Sequence, residues 1–331
     1  PRMWDANGHA RGKLAPGGWV TRLNPETLQQ ELVCIGFRNE YDISLNRHGD
    51  LFTYDADMEW DLGSPWYRPT RICQVVSGGD YGWRSGTGKW PSYYEDSLPP
   101  VVEIGPGSPT GIVSGTGATF PTKYQDALFA LDWTFGTIYA IHMKPKGAGY
   151  EGVSEPFVTG APLPVTDAIV GGDGLLYFAV GGRGAQSALY RVRYVGDAST
   201  APPQTALPKN IAQARLLRSQ LEQYHGHALP EAESAAVIEQ AWPLLQSDDR
   251  FLRSAARVAI ESQPVDRWSD LVLQETSPQG VVTSAVALAR TGNASHRADL
   301  IDKLVATEVE TDAQLLGWLR AISLTCIRMG K

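Results

Sequence analysis

Cysteine is scarce in this chain. Cys34, Cys73 and Cys326 are the only three, too scattered for a disulfide framework, and no C-x-x-C or C-x-x-C-H string occurs. That excludes a cystine-stapled miniature, a zinc ribbon and a c-type haem attachment within these residues. Buried free thiols are the expected state of all three. No run of eighteen apolar residues exists, so nothing reads as a membrane-spanning helix. Positive charge is also short: 29 Lys and Arg stand against 36 Asp and Glu, the net charge is -7, and no basic stripe marks a nucleic-acid surface. Such a surface suits a small neutral or carbohydrate-like ligand. The chain opens at Pro1 and ends at Lys331 directly after an apolar, helix-like stretch, with no signal sequence, and is read as a piece of a longer protein.

Glycine (34) and proline (22), by contrast, are plentiful and punctuate the first part of the chain. At 331 residues two domains are expected. Residues 1–195 carry short runs rich in Val, Ile, Phe, Tyr and Trp between Gly, Pro, Asn and Asp, the punctuation of an all-β domain. Twelve such runs predict strands, enough for about three four-stranded blades of a partial β-propeller. Residues 42–52 (DISLNRHGDLF) align without a gap on 167–177 (DAIVGGDGLLY), each a strand, a Gly-containing turn and a second strand. Three blades cannot close a ring, so earlier blades are expected before Pro1. Residues 196–208 (GDASTAPPQTALP) form a Pro-rich linker. From 209 to 331 the period changes to helical, with seven segments expected to stack as an α-helical HEAT/ARM-type solenoid. Ser247 or Asp248 is the expected cap of the helix that follows.

The sharpest motif string is GFRNEYD at 36–42, followed by LNRHGDLF at 45–52 and GGDYGW at 78–83. In that order it resembles the soluble quinoprotein sugar dehydrogenases and their aldose-sugar-dehydrogenase relatives, which implies a six-bladed propeller. In that family the Arg-Asn pair contacts pyrroloquinoline quinone (PQQ), so the resemblance puts Arg38 and Asn39 first among cofactor-binding candidates. A guanidinium and an amide suit carboxylate and quinone oxygens. The competing reading is that they tie neighbouring blades together. The string DADMEWD at 55–61 alternates four carboxylates, which on a strand would share one face and repel unless a cation or arginines intervene. Asp55, Asp57 and Glu59 are the metal candidates; the family holds Ca²⁺ at about the position of Asp57 and Met58. Pairing of the carboxylates with Arg68 and Arg71 is the alternative.

Strings from Tyr54 to Arg193, among them LDWTFGTIYAIHMKPKGAGYEG and GGRGAQSALYRVRY, are similar to the planctomycete and verrucomicrobial type of membrane-bound dehydrogenase. Those are exported proteins with a propeller, HEAT-like helices and a C-terminal haem domain. The resemblance implies a periplasmic or exported location, a sugar or alcohol substrate and a cytochrome-type acceptor, with any haem c beyond Lys331 and the catalytic base before Pro1. The family's cofactor-binding Lys has no counterpart near Asp132-Trp-Thr-Phe135, and two expected arginines fall near Pro164 and Thr166. Arg183, in GGRG at 181–184, restores one cation if its loop faces the cavity; otherwise it is a rim arginine. Gly105–Gly111 reads as a rigid loop, and the lone histidines and the His225/His227 pair as structural. The leading expectation is part of a quinone-dependent oxidoreductase. Its rivals are a non-catalytic glycan- or protein-binding propeller on a HEAT scaffold and, on fold analogy alone, a lactonase-type hydrolase.

Overall fold

The computed structural model describes residues 17–58, 62–64, 67–84, 88–203 and 206–330. The chain divides into two compact units. The first takes the chain up to Val76, then Tyr81–Lys89 and Pro99–Leu207; the second takes Ser77–Asp80, Trp90–Leu98 and the chain from Pro208. One crossing between the units falls at Leu207–Pro208, and two earlier segments also belong to the helical unit.

In the first unit β1 (Gly18–Leu23) and β2 (Gln30–Phe37) form a hairpin. A four-stranded antiparallel sheet follows, made of β3 (Ile43–Leu45), β4 (Leu51–Asp55), β5 (Thr70–Val75) and β9 (Val102–Gly105); between β5 and β9 come the short strands β6 (Gly79–Asp80), which falls in the segment assigned to the second unit, β7 (Trp83–Arg84) and β8 (Gly88–Lys89). A second four-stranded meander holds β10 (Pro109–Ser114), β11 (Leu128–Asp132), β12 (Thr137–Lys146) and β13 (Gly149–Thr159). The last sheet has three strands, β14 (Val165–Val170), β15 (Leu176–Gly182) and β16 (Ala185–Val192). Three equal sheets of four are therefore not found among the described residues, whose strands form two sheets of four, two of three and one of two.

The gapless repeat is realised bond for bond. Asn46 N donates to Asp50 O and Gly49 N to Asn46 O, while Gly171 N donates to Leu175 O and Gly174 N to Gly171 O. Gly49 and Gly174 sit at φ 77° and 75°, a turn conformation that glycine reaches without strain. The first strands of the sheets are stitched in series: Ile112 N donates to Asp42 Oδ2 at 3.0 Å, and Thr110 Oγ1 donates to Val165 O at 2.9 Å. Strand alternation explains the cores, because Leu128 and Ala130 of β11 join Phe52, Tyr54 and Ile72, whereas Phe129 and Leu131 join Leu176, Phe178 and Val180. Each such buried side chain contributes roughly 1.5–3 kcal/mol.

The second unit contains α2 (Lys209–Glu222), α3 (Glu231–Ala241), α4 (Arg250–Glu261), α5 (Ser269–Gln274), α6 (Pro278–Thr291), α7 (Arg297–Val305) and α8 (Asp312–Arg328); α1 (Thr122–Gln125) belongs to the first. Even-numbered helices pack in sequence, α2 on α4, α4 on α6, α6 on α8, and α3, α5 and α7 lie against them as a second layer. Asp249, rather than Ser247 or Asp248, caps α4 by accepting from Phe251 N and Leu252 N. Within this unit Arg253 and Arg250 pair with Glu95, at 2.5 and 3.7 Å. Arg320 makes two 2.8 Å bonds to Asp96, Arg290 a third contact at 3.3 Å, and the Arg320 guanidinium lies over the Tyr94 ring. Burial works against both charges, yet these arginines hold the Glu95 and Asp96 carboxyls below their ordinary range.

Candidate functional site

Asp55 ends β4 and is completely buried. Its Oδ1 accepts from the backbone N–H groups of Arg38, at 2.8 Å, and Asn39, at 3.2 Å. Its Oδ2 receives Nε and Nη2 of Arg71, both at 3.1 Å, and faces Lys89 Nζ at 3.4 Å. Register explains Arg71, the β5 partner of Asp55; the β7–β8 hairpin delivers Lys89. Burial alone would raise the Asp55 carboxyl, but Lys89, Arg71 and the two N–H groups together hold it below its ordinary value. Burial in turn brings the Lys89 ammonium down to about 8 and the Cys73 thiol up to about 12. The Arg38-Asn39 motif is thus anchored through its backbone, with Arg38 half-buried and Asn39 exposed.

The acidic row does not continue as a strand. β4 stops at Asp55, so Asp57 lies in irregular chain beyond it, and Glu59 and Asp61 lie outside the described residues. Asp57 Oδ2 accepts from Tyr67 Oη at 2.8 Å, and the neighbouring Met58 Sδ lies 3.0 Å from Trp83 Nε1. Arg71 pairs with Asp55 as the alternative reading had it, while Arg68 donates to Tyr67 O instead. Among the described residues no three His, Cys, Asp or Glu side chains gather as a metal site. Arg183 is exposed in the β15–β16 turn at φ 47°, with its guanidinium 5.1 Å from the Trp133 ring centroid.

Two carboxyls escaped the sequence reading. Asp132 ends β11 as Asp55 ends β4, and its Oδ1 accepts from Ser108 N at 2.9 Å and Thr134 N at 3.0 Å. Its Oδ2 is buried and accepts no hydrogen bond. Burial pushes the Asp132 carboxyl up, the backbone N–H groups of Ser108, Thr134 and Phe135 oppose this, and the charge of Asp57 adds to the rise. Glu40, next to Asn39, is brought to about 7, mainly by burial; its carboxylate occupies the space where a Cβ on residue 18 would stand. The signal for Asp132 is a repeated string, LFTYD at 51–55 and LFALD at 128–132.

The remaining candidates have structural partners. His142 bonds Glu155 at 2.6 Å, and His225 is enclosed between Ser77 Oγ and Ala255 O, so His225 and His227 do not form a metal pair. Cys34 and Cys73 are buried, but Cys326 is exposed on α8, against the expectation of three buried thiols.

Comparison with solved structures finds sugar dehydrogenases at low identity. The chain resembles a solved oxidoreductase (glucose dehydrogenase) from Thermus thermophilus at 19% identity over 55% of this chain and 53% of that one, with a TM-score of 0.38. The PQQ-bound aldose sugar dehydrogenase from Streptomyces coelicolor is similar at 16% identity over 53% and 51%, with a TM-score of 0.39. A further glucose dehydrogenase gives 17% over 56% and 53%, at 0.41. The chain spans about half the length of these structures. No family model matches it. No curated protein matches it either.

Proposed function

We propose that the sheets are blades of a six-bladed quinoprotein-dehydrogenase-type propeller, that the paired helices are a HEAT-type stack, and that the chain is part of an exported oxidoreductase acting on a sugar or alcohol. Electrons would pass to a cytochrome-type acceptor or haem domain outside these residues. One observation carries the reading: the backbone of the Arg38-Asn39 motif is clamped by a wholly buried strand-end aspartate, beside sheets whose first strands are stitched in series.

PQQ and Ca²⁺ are the cofactors this reading implies. Arg38, Asn39 and Arg183 supply donors suited to quinone carbonyl and carboxylate oxygens. The orphaned Oδ2 of Asp132 and the Asp57 carboxylate supply hard oxygens suited to Ca²⁺. Bound there, the quinone supplies the hydride acceptor. In this reading the chain's own residues bind and orient the cofactor. Titrating the intact protein with PQQ and Ca²⁺ tests the proposal: an absorbance change and dye-linked sugar oxidation are expected, and the lack of both would retire it.

The second reading, a non-catalytic glycan- or protein-binding propeller, is favoured by one fact. Arg71 and Lys89, the buried cations nearest the motif, are committed to Asp55 and do not serve a tricarboxylate ligand. Glycan binding that is indifferent to PQQ would favour this alternative.

A further inference from the structure

We propose that the cleft between α3 and α5 in the helical unit is a docking groove for a basic, amphipathic helical segment of a partner protein. The cleft lies wholly within the second unit, and none of its residues belongs to the quinoprotein motifs.

Its shape is that of an apolar strip with a charged rim. A cleft of about 760 Å³ opens where α3 runs past the short turn Val265–Arg267 and the start of α5. α3 contributes Glu231, Ala235, Ile238 and Glu239, and Asp266 and Leu271 line the other side. Residues 231, 235 and 239 recur every four positions, so they share one face of α3, with a small alanine between two carboxylates. Ile238 is buried, Leu271 is half-buried, and the exposed Ala235 leaves room above them; Glu231, Glu239 and Asp266 are all exposed. Apolar surface framed by polar residues is the usual form of a contact site for another protein.

The charge of that rim is uncompensated. α3 (EAESAAVIEQA) holds three glutamates and α5 (SDLVLQ) one aspartate, and neither holds a lysine or arginine. Among the described residues lining the cleft Arg267 alone is cationic, and its Nη1 donates to Leu229 O at 3.0 Å. Among the described residues no Lys, Arg or His pairs with Glu231, Glu239 or Asp266. Other carboxylates of the same unit are answered, Glu222 by Arg218 and Glu261 by Arg257 and Arg290.

Spacing selects the occupant. Residues eight apart on a helix are separated by about 12 Å along its axis, too far for Glu231 and Glu239 to share one ion, and no three carboxylates among the described residues gather as a metal site. An extended polycation reaches both. A partner helix carrying Lys or Arg about two turns apart, beside a row of Leu or Val, pairs with the two glutamates while its apolar row covers Ile238 and Leu271. A second copy of this chain is a poor match, because its net charge is -7 and like charge would meet like.

The test uses the intact chain and a labelled, helix-forming peptide of about 14 residues with lysines about two turns apart beside a leucine row, followed by fluorescence anisotropy at low and at physiological salt. Binding that weakens with salt is expected. Peptides with serine in place of leucine, or glutamate in place of lysine, should bind at least about tenfold more weakly. Glu231→Lys combined with Glu239→Lys should cost about tenfold or more in affinity, the scale of two surface ion pairs lost and made repulsive. Glu308→Lys with Glu310→Lys, an equal charge change on exposed residues outside the cleft, should leave affinity within about twofold. Ala235→Arg fills the groove from an exposed helix position without removing a carboxylate and should also weaken binding; melting temperatures check that each variant folds. No binding of the lysine and leucine peptide overturns the proposal, as does undiminished affinity in Ala235→Arg. Equal binding of the serine peptide, or equal losses from the two pairs of reversals, also overturns it, since either reduces the effect to attraction by an acidic chain.

Discussion

Asp55 and Asp132 occupy the same place in successive sheets, each closing an LF-x-x-D strand and each capping the chain that leads into the first strand of its sheet. Their surroundings are opposite. Arg71 and Lys89 turn Asp55 into a closed latch, whereas Asp132 keeps one oxygen unanswered. The backbone of the repeat therefore decides where a carboxylate goes, and the side chains of the next strand and hairpin decide what that carboxylate is for.

The largest test of this contrast is Asp55→Ala. It leaves a guanidinium and an ammonium buried side by side without their partner, and about 3–5 kcal/mol of stability should be lost, read from the urea unfolding midpoint. Asp132→Asn in chelator should cost far less, because it removes an uncompensated charge; equal losses would break the comparison. A smaller effect is expected from Gly107→Ala, which forces a methyl group against the Asp132 carboxyl and should cost about 1–3 kcal/mol in the same assay.

Smallest is the pH signature. The Asp55 carboxyl is held below its ordinary value, so its stabilisation is present above the unfolded pKa of 3.8 and is lost as pH falls through the folded one. Glu40 has the opposite sign. Raised from 4.5 to about 7, it binds protons more tightly in the folded chain, so stability falls as pH climbs through that interval. Melting temperatures of wild type and Glu40→Gln should therefore lie closest near pH 4.5 and diverge most above pH 7, with the slope between 4.5 and 7 flattened in the variant; parallel curves would remove Glu40 from the set of perturbed groups.

Much of the fold was legible because its signals are local. Gly49 and Gly174 mark turns that only their residue type makes easy, and the gapless repeat around them fixed two hairpins and their register. The strand Val102–Gly105 was not anticipated, since it follows Pro99 and Pro100 and pairs with Thr70–Ile72 across a long excursion. Asp249 as the cap of α4, one residue beyond the expected choice, is the usual uncertainty of a helix end. The site was less readable. Arg71 opposite Asp55 follows from strand register, but Lys89 arrives through a hairpin with no spacing rule, and Asp132 drew notice only for a lysine that its neighbourhood lacks. Charge compensation is a property of tertiary neighbours, so a repeat in the sequence can be visible while the electrostatic difference between its copies is not.

The helical unit is not one uninterrupted stretch of polypeptide. Trp90–Leu98 belongs to it, with Glu95 and Asp96 gripped by arginines from α4, α6 and α8. A gene fusion that moved only the residues from Pro208 onward would transplant those arginines stripped of their acidic counterparts. Such helices are poor material for cassette shuffling: wherever this arrangement is inherited, the acidic Tyr-Tyr-Glu-Asp insertion and the distant arginines must travel together, and a substitution in one places immediate selective pressure on the other.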